Sequence, residues 1–339
     1  MIFITGANGW LGLNLVEAIT SGKTEKWGLE TDEIYALVLP GTTKNKLLDI
    51  SKHINIIEGD LTKKDDIVRF LNPSKDGSRI FHTAGVIHPK RIKEFYHINR
   101  DGTKNLLEVA SKISVGRVVI VSSNSPCGCN TDKEHLFDEE SPYNPYMNYG
   151  KSKMEMEKIA NYYYNKNLLD IAIIRAPWFY GPFQPKRQKT FFEMIRKGNA
   201  PIVGDGENRR SMVYTENLVQ GLILASSKKS ASGKTYWIAD QEPYTMNKIV
   251  NTIEKLLADE FNQNCKYSRL KLPGFISDAA EIADYFIQNL NLYNQKIHVL
   301  SEMNKEIACS VNNARKELGY KPEFELKKGM YNSLLELYR

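Results

Sequence analysis

Tyr149 and Lys153 stand four residues apart in a stretch that reads as a helix, so phenol and ammonium lie one turn apart on the same face. A tyrosine titrates near pH ~10 in water and is a poor base at neutrality unless something favours its anion; a lysine one turn away does that electrostatically. Such a pair can take a proton from a hydroxyl, or return it in the reverse direction. Either residue alone is ordinary in a chain rich in tyrosine and lysine, so the chemistry depends on what else the sequence supplies.

It supplies a place for a phosphate-bearing cofactor. Met1 to Thr5 is a short apolar run that reads as a buried strand, and it empties into Gly6, Ala7, Asn8, Gly9, Trp10, Leu11, Gly12. Leu15, Val16 and Ile19 then fall at helical spacing, so the glycines join a strand to a helix. Gly6 permits the tight turn, Gly9 lets backbone N–H groups approach a pyrophosphate, and Gly12 is expected to let the helix pack close to the sheet.

The spacing Gly-x-x-Gly-x-x-Gly behind Thr5, together with Tyr-x-x-x-Lys, resembles the extended short-chain dehydrogenase/reductase family, which includes nucleotide-sugar epimerases and 3β-hydroxysteroid-type dehydrogenases. The resemblance covers nearly the whole chain and implies NAD(P) as cofactor. It implies that Gly6, Asn8, Gly9, Trp10, Leu11 and Gly12 hold the pyrophosphate side, with Asp60 and Leu61 at the adenine and Ala84 and Gly85 passing close to the cofactor. Asn99, Gly102, Thr103 and Asn105 match the family's Asn-x-x-Gly-Thr-x-Asn helix, which implies that Asn99 steadies the catalytic lysine. Counting back from Gly128, Ser123 takes the place of the catalytic hydroxyl, with Ser122 as the alternative register. Tyr149, Lys153 and Pro177 complete the implied cofactor set, Lys153 by bonding the nicotinamide ribose. Val86, His88, Ser123, Asn124, Trp178 and Arg210 are the implied substrate residues, and no metal is implied.

Cofactor choice turns on the second strand, Ile34 to Leu39. In family members that prefer NAD it ends in an acidic residue that chelates the ribose hydroxyls. Here it ends Val38, Leu39, Pro40, Gly41, and Lys44 and Lys46 follow, so the expectation leans slightly to NADP.

Three substrate readings compete. A 4,6-dehydratase needs an acid and a base after the catalytic hydroxyl, where this chain has Asn124 and Ser125, which argues against water elimination. A nucleotide-sugar epimerase or reductase needs groups for a diphosphate; Arg210 matches the family arginine that holds it, with Arg209, Lys186 and Arg187 nearby in sequence. The asparagine such enzymes carry three residues before Gly181 is Trp178 here, which suits a sugar face or an apolar substrate. A 3β-hydroxysteroid-type dehydrogenase or ketoreductase acting on a larger alcohol is therefore the runner-up. A cofactor-binding regulator without turnover is a third possibility, and it would need a broken catalytic set; Ser123, Tyr149 and Lys153 are all present.

The elements that must position these residues follow from patterning. Further strands are expected at Ile54–Ile57, Arg79–Thr83, Val118–Val121, Ile171–Arg175 and Tyr236–Ala239, separated by helices, which argues for an α/β fold: a Rossmann-type doubly wound parallel sheet. Residues 22–33 read as a polar insertion, 124–146 as an active-site loop, and Pro182–Gln188 as a basic loop before a helix at Phe191–Lys197. The dinucleotide-binding domain is expected to span 1–176, with 215–245 returning to it. Residues 177–214 and 246–339 are expected to form a smaller, mostly helical substrate domain.

Composition fits a chain of 339 residues with a sizeable core: 42% hydrophobic residues and a formal charge of +6 spread without long basic runs, with a mean hydropathy of −0.43. Small anionic ligands suit this charge better than nucleic acid. No apolar run approaches the length of a membrane span, so no membrane partner is expected. Met1 opens the first core strand, leaving no room for a leader, and the cytoplasm is the expected location. Cys127, Cys129, Cys265 and Cys309 are too scattered for a disulfide framework or a zinc site and read as reduced thiols. A homodimer is the expected assembly.

Overall fold

Strands covered by helices on both faces read as apolar runs, because neither side meets water. The computed structural model, which describes residues 1–30 and 32–338, forms such a sheet. In chain order the first half comprises β1 (Ile2–Thr5), α1 (Trp10–Thr20), β2 (Ile34–Val38), α2 (Asn45–Ile50), β3 (Asn55–Glu58), α3 (Lys64–Leu71), β4 (Arg79–His82), α4 (Lys93–Phe95), α5 (Thr103–Ala110), β5 (Arg117–Ser123), α6 (Met147–Asn165) and β6 (Ile171–Ala176). The second half comprises β7 (Trp178–Tyr180), α7 (Lys186–Arg196), β8 (Pro201–Val203), β9 (Arg209–Arg210), β10 (Met212–Tyr214), α8 (Thr215–Ser227), β11 (Thr235–Trp237), β12 (Tyr244–Thr245), α9 (Met246–Asp259), β13 (Leu270–Leu272), α10 (Phe275–Asn289), α11 (Gln295–Glu302) and α12 (Leu326–Tyr338).

The main sheet has seven parallel strands in the order β11-β6-β5-β4-β1-β2-β3. From β1 the chain winds outward through β2 and β3, then returns to the other side of β1 at β4. That reversal opens a crevice beyond the C-terminal ends of β1 and β4, where a doubly wound sheet binds its ligand. One apolar cluster covers one face with α1 and α8, and a second covers the other with α3, α5 and α6. A third gathers Tyr180, Phe192, Ile195, Met212, Ile249, Leu257, Leu326 and Met330 away from the sheet.

Several element ends differ from the pattern. β5 runs on to Ser123 because Ser122 and Ser123 still pair with Arg175 and Ala176 of β6. β2 stops at Val38, and Leu39 is exposed. β3 and β11 sit one residue away from their expected starts. The helix expected from Phe191 begins at Lys186, with Pro185 at its N-cap, so the basic loop is half helix. Residues 307–320, expected with the second unit, place Ile307, Cys309, Val311, Leu318 and Tyr320 among the buried side chains, the last four within the first sheet cluster.

Candidate active site

The glycines after β1 are set by space. Gly6 has φ +68°, and a Cβ on it would stand 2.7 Å from the backbone N and Cα of Ala84. A Cβ on Gly12 would stand 2.2 Å from the carbonyl oxygen of Gly6. It is thus the turn itself, not the sheet, that Gly12 lets the helix approach. Gly9 caps α1 without a side-chain bond, and the first turn of α1 holds no acidic residue. Its leading N–H groups and the positive end of the helix dipole meet no carboxylate there, and a dinucleotide pyrophosphate fits that cradle. Asn8 Nδ2 donates to Thr43 O at 2.6 Å and Trp10 Nε1 to Pro182 O at 2.7 Å, which ties the turn to the loops on either side. Leu11 is buried in the sheet cluster.

At the far end of the crevice Lys44 is ion-paired with Glu58, at the end of β3. Asp60 Oδ1 accepts the N–H and the hydroxyl of Thr62, each at 2.9 Å, a local cap of the kind common after strands. Leu61 beside it is buried.

Opposite the glycine turn, His82 ends β4 fully enclosed. Thr103 Oγ1 spends its proton on Asn99 O at 2.6 Å, so it must accept from His82 Nε2 at 2.8 Å; Nδ1 then accepts the Thr5 hydroxyl at 2.7 Å. Burial, reinforced by the Lys153 charge, pushes the imidazole down to about 3. This neutral ring couples the end of β1 to the wide helical turn Tyr96–Gly102 that carries Asn99. Asn99 grips the loop after β4 in both directions: Oδ1 accepts Val86 N–H at 2.8 Å and Nδ2 donates to Val86 O at 3.0 Å. Its Nδ2 also reaches Ser152 Oγ at 3.2 Å. Asn99 thus reaches Ser152, the residue before Lys153, while the Lys153 ammonium is itself bonded to Val121 O at 2.8 Å. Gly85 lies between these groups; a Cβ there would sit 3.2 Å from Asn99 Oδ1 and 3.8 Å from Lys153 Nζ.

Ser122 and Ser123 point to different tasks, as adjacent residues on a strand must. Ser122 Oγ donates at 2.5 Å to the buried carboxylate of Glu157, which also takes Tyr143 OH at 2.9 Å and the Arg175 guanidinium at 2.8 Å. Ser123 lies next to Tyr149. Burial pushes the Tyr149 phenol up to about 12, while the Ser123 hydroxyl and, more weakly, Arg187 favour its anion. Lys153 does not act on the phenol directly here: its Nζ donates to Val121 O at 2.8 Å, and burial pushes it down to about 8 against the pull of Glu157. Asn124 Oδ1 accepts from Ser123 Oγ at 3.3 Å, and the loop then closes through Gly128, where φ is +82°.

The roof comes from the second half of the chain. His88 Nδ1 and Tyr293 OH hydrogen-bond at 2.7 Å; Tyr293 packs edge-on against Phe95, which also touches Tyr149. His298 Nδ1 donates to Asp284 at 2.7 Å, with its ring against Tyr293 and Tyr146. Trp178, next to the buried Pro177, is partly exposed and packs on Phe191. Arg209 is engaged by Glu306. The Nε and Nη1 of Arg210 are buried with no hydrogen-bond partner among the described residues.

Glu157 is not among the residues singled out from the sequence, although a signal was there: Tyr149, Lys153 and Glu157 recur every four residues on one helix face. Arg175 within an otherwise apolar strand likewise signals a buried partner. Tyr293, His298 and Asp284 carry no local signal, because only tertiary packing brings them over Tyr149.

The sequence model of the NAD dependent epimerase/dehydratase family matches residues 2–239. An uncharacterised protein from Sinorhizobium fredii is 43% identical over 337 residues, spanning 98% of this chain and 94% of that protein. A decarboxylating sterol-4-alpha-carboxylate 3-dehydrogenase from Candida albicans is 25% identical over 98% of this chain and 96% of its own. Among solved structures, a dTDP-glucose 4,6-dehydratase from Streptomyces venezuelae with NAD bound superposes with a TM-score of 0.78 at 23% identity, covering 99% of this chain and 96% of that one, which is a likeness of fold.

Proposed function

We propose that this chain, which belongs to the NAD-dependent epimerase/dehydratase family, moves hydride at a carbinol or ketone carbon of a nucleotide sugar, as an epimerase or reductase. A bound nicotinamide dinucleotide supplies the hydride acceptor and donor. Tyr149 takes the carbinol proton and returns it to the carbonyl oxygen in the reverse direction. Ser123 hydrogen-bonds that oxygen and steadies the charge that develops on it. Lys153 shares the helix face of Tyr149 and, held on Val121 O, would bond the ribose of the bound nicotinamide.

The observation that carries the nucleotide-sugar reading is Arg210. A guanidinium with two buried, unpartnered N–H positions is costly until an anion meets it, and a diphosphate offers the matching acceptors. Arg210→Ala is expected to raise KM ten- to a hundred-fold, about 1.5–3 kcal/mol of binding, less so as salt rises, with cofactor affinity unchanged. If instead Arg210→Ala is silent and Trp178→Ala is costly, the apolar-alcohol reading is correct. That reading has its own support in the partly exposed ring of Trp178 and in the sterol dehydrogenase relative.

For the cofactor the proposal leans slightly to NADP, since no carboxylate follows Val38 and Lys44 and Lys46 stand on the loop. A 2′-phosphate must compete with Glu58 for Lys44, which keeps the expected preference small. Fluorescence titration decides it: NAD binding tenfold tighter than NADP, about 1.4 kcal/mol, would reverse the lean.

A further inference from the structure

Helix α10 is built inside out. Phe275, Ala279, Ile282 and Phe286, with Leu290 just past its end, recur at helical spacing and share one face. That face looks outward: Phe275 is 65% exposed, Ile282 60%, Phe286 63% and Leu290 73%. Opposite them the buried residues are Ser277, Ala280, Asp284 and Gln288, and the polar ones are hydrogen-bonded inward. Ser277 Oγ donates to Ser301 O at 2.7 Å, and Gln288 Nε2 and His298 Nδ1 each donate to Asp284 Oδ2, at 2.8 and 2.7 Å. A surface helix that meets water does the reverse. Tyr285, Leu292 and Val299 are exposed as well, and large apolar side chains gathered on the surface mark an interaction site.

We propose that the outer face of the α10–α11 hairpin docks on an anionic lipid bilayer, lying in its interface. Charge selects this occupant. Lys266 and Lys271 before the apolar run in sequence and Lys296 after it are all exposed and in no ion pair among the described residues. The carboxylates of α10 are already engaged: Asp278 and Glu281 pair with Lys305 at 3.1 and 2.7 Å, and Asp284 is buried against His298. An apolar stripe edged by lysines is what seats a helix at the boundary of anionic headgroups and acyl chains. A two-fold contact with a second copy would bring these lysines of both chains toward one interface, where the carboxylates of α10 are already paired with Lys305 or buried. Among the described residues no helix is long and apolar enough to cross a membrane, and the proposed contact is with the interface. The inner side of the hairpin carries Tyr293 and His298 over the Tyr149 cleft, which docking would set close to the lipid surface.

The test uses the full chain and does not depend on the substrate reading. The wild-type protein is expected to sediment with phosphatidylcholine/phosphatidylglycerol vesicles at low salt and to remain in solution with pure phosphatidylcholine vesicles or at high salt. Phe275→Ser/Phe286→Ser/Leu290→Ser should abolish sedimentation while the circular-dichroism melting curve is kept. Lys271→Glu/Lys296→Glu, which leaves the apolar face intact, should weaken binding by at least about tenfold. Wild-type protein that stays in solution with anionic vesicles overturns the proposal, as does vesicle binding that the lysine pair leaves unchanged. A dimer that the triple substitution dissolves, without vesicle binding by the wild type, assigns the face to a second copy instead.

Discussion

Tyr149 packs on Phe95 and sits within reach of the Ser123 hydroxyl, so its ring is held by contacts that phenylalanine would keep. Tyr149→Phe therefore removes the proton-exchanging oxygen alone. Cofactor binding by fluorescence is expected to persist while turnover, followed by chromatography of the product as well as by nicotinamide absorbance, falls by about two to four orders of magnitude. Retained turnover removes Tyr149 from the proposed mechanism. The sequence alone leaves Ser122 and Ser123 open; packing separates their surroundings, since Ser122 is bonded to the buried Glu157 and only Ser123 faces the phenol. The pairing of Tyr149 with Lys153 was readable from spacing, but the partner of the lysine was not, because Val121 O belongs to a different element.

At the scale of elements, the crevice depends on how β1, β4 and the turn carrying Asn99 are fastened, and His82 is the fastening. Its folded pKa, about 3, lies below the 6.5 of an unfolded histidine. The unfolded chain binds a proton between those values and the native one does not, so the contribution of His82 to stability is full above pH ~6.5 and shrinks as the pH falls toward ~3, by at most about 1.4 kcal/mol per pH unit. His88, pushed down to about 4 mainly by burial, adds to the same slope. Urea unfolding between pH 7 and pH 5, values chosen to bracket about one half of that window, should show the loss, and His82→Gln should flatten it. An unaltered slope in that variant would assign the acid sensitivity elsewhere.

Across the whole molecule, the third apolar cluster is joined to the sheet at Asp240. Its carboxylate accepts Tyr180 OH at 2.6 Å, Asn217 Nδ2 at 2.8 Å and Tyr214 N–H at 2.9 Å, and so binds β7, β10 and α8 at one point. Asp240→Ala strands these donors in a dry interior and is expected to cost on the order of 3 kcal/mol, with Asp240→Asn, which keeps one acceptor, costing less. Calorimetric unfolding checks this: equal melting temperatures for the alanine variant and the wild type would show that the clusters do not depend on this carboxylate.

The periodicity of the strands and the glycine turn determined the parallel α/β sheet and its crevice, because a strand buried on both faces has to be apolar and a strand-to-helix turn this tight leaves no room for a Cβ at Gly6 or Gly12. The spacing of Tyr149 and Lys153 likewise determined that they share a helix face. The sequence could not show that Lys44 is held by Glu58, that Arg210 Nε and Nη1 have no hydrogen-bond partner among the described residues while Arg209 is paired with Glu306, or that Tyr293, its ring against His298, meets His88. These are contacts between residues far apart in the chain, with no local period to announce them. The inverted face of α10 lies between the two cases: its apolar stripe is plain in the sequence, but which side of that helix met solvent was decided only when Asp284 and Gln288 were packed inward.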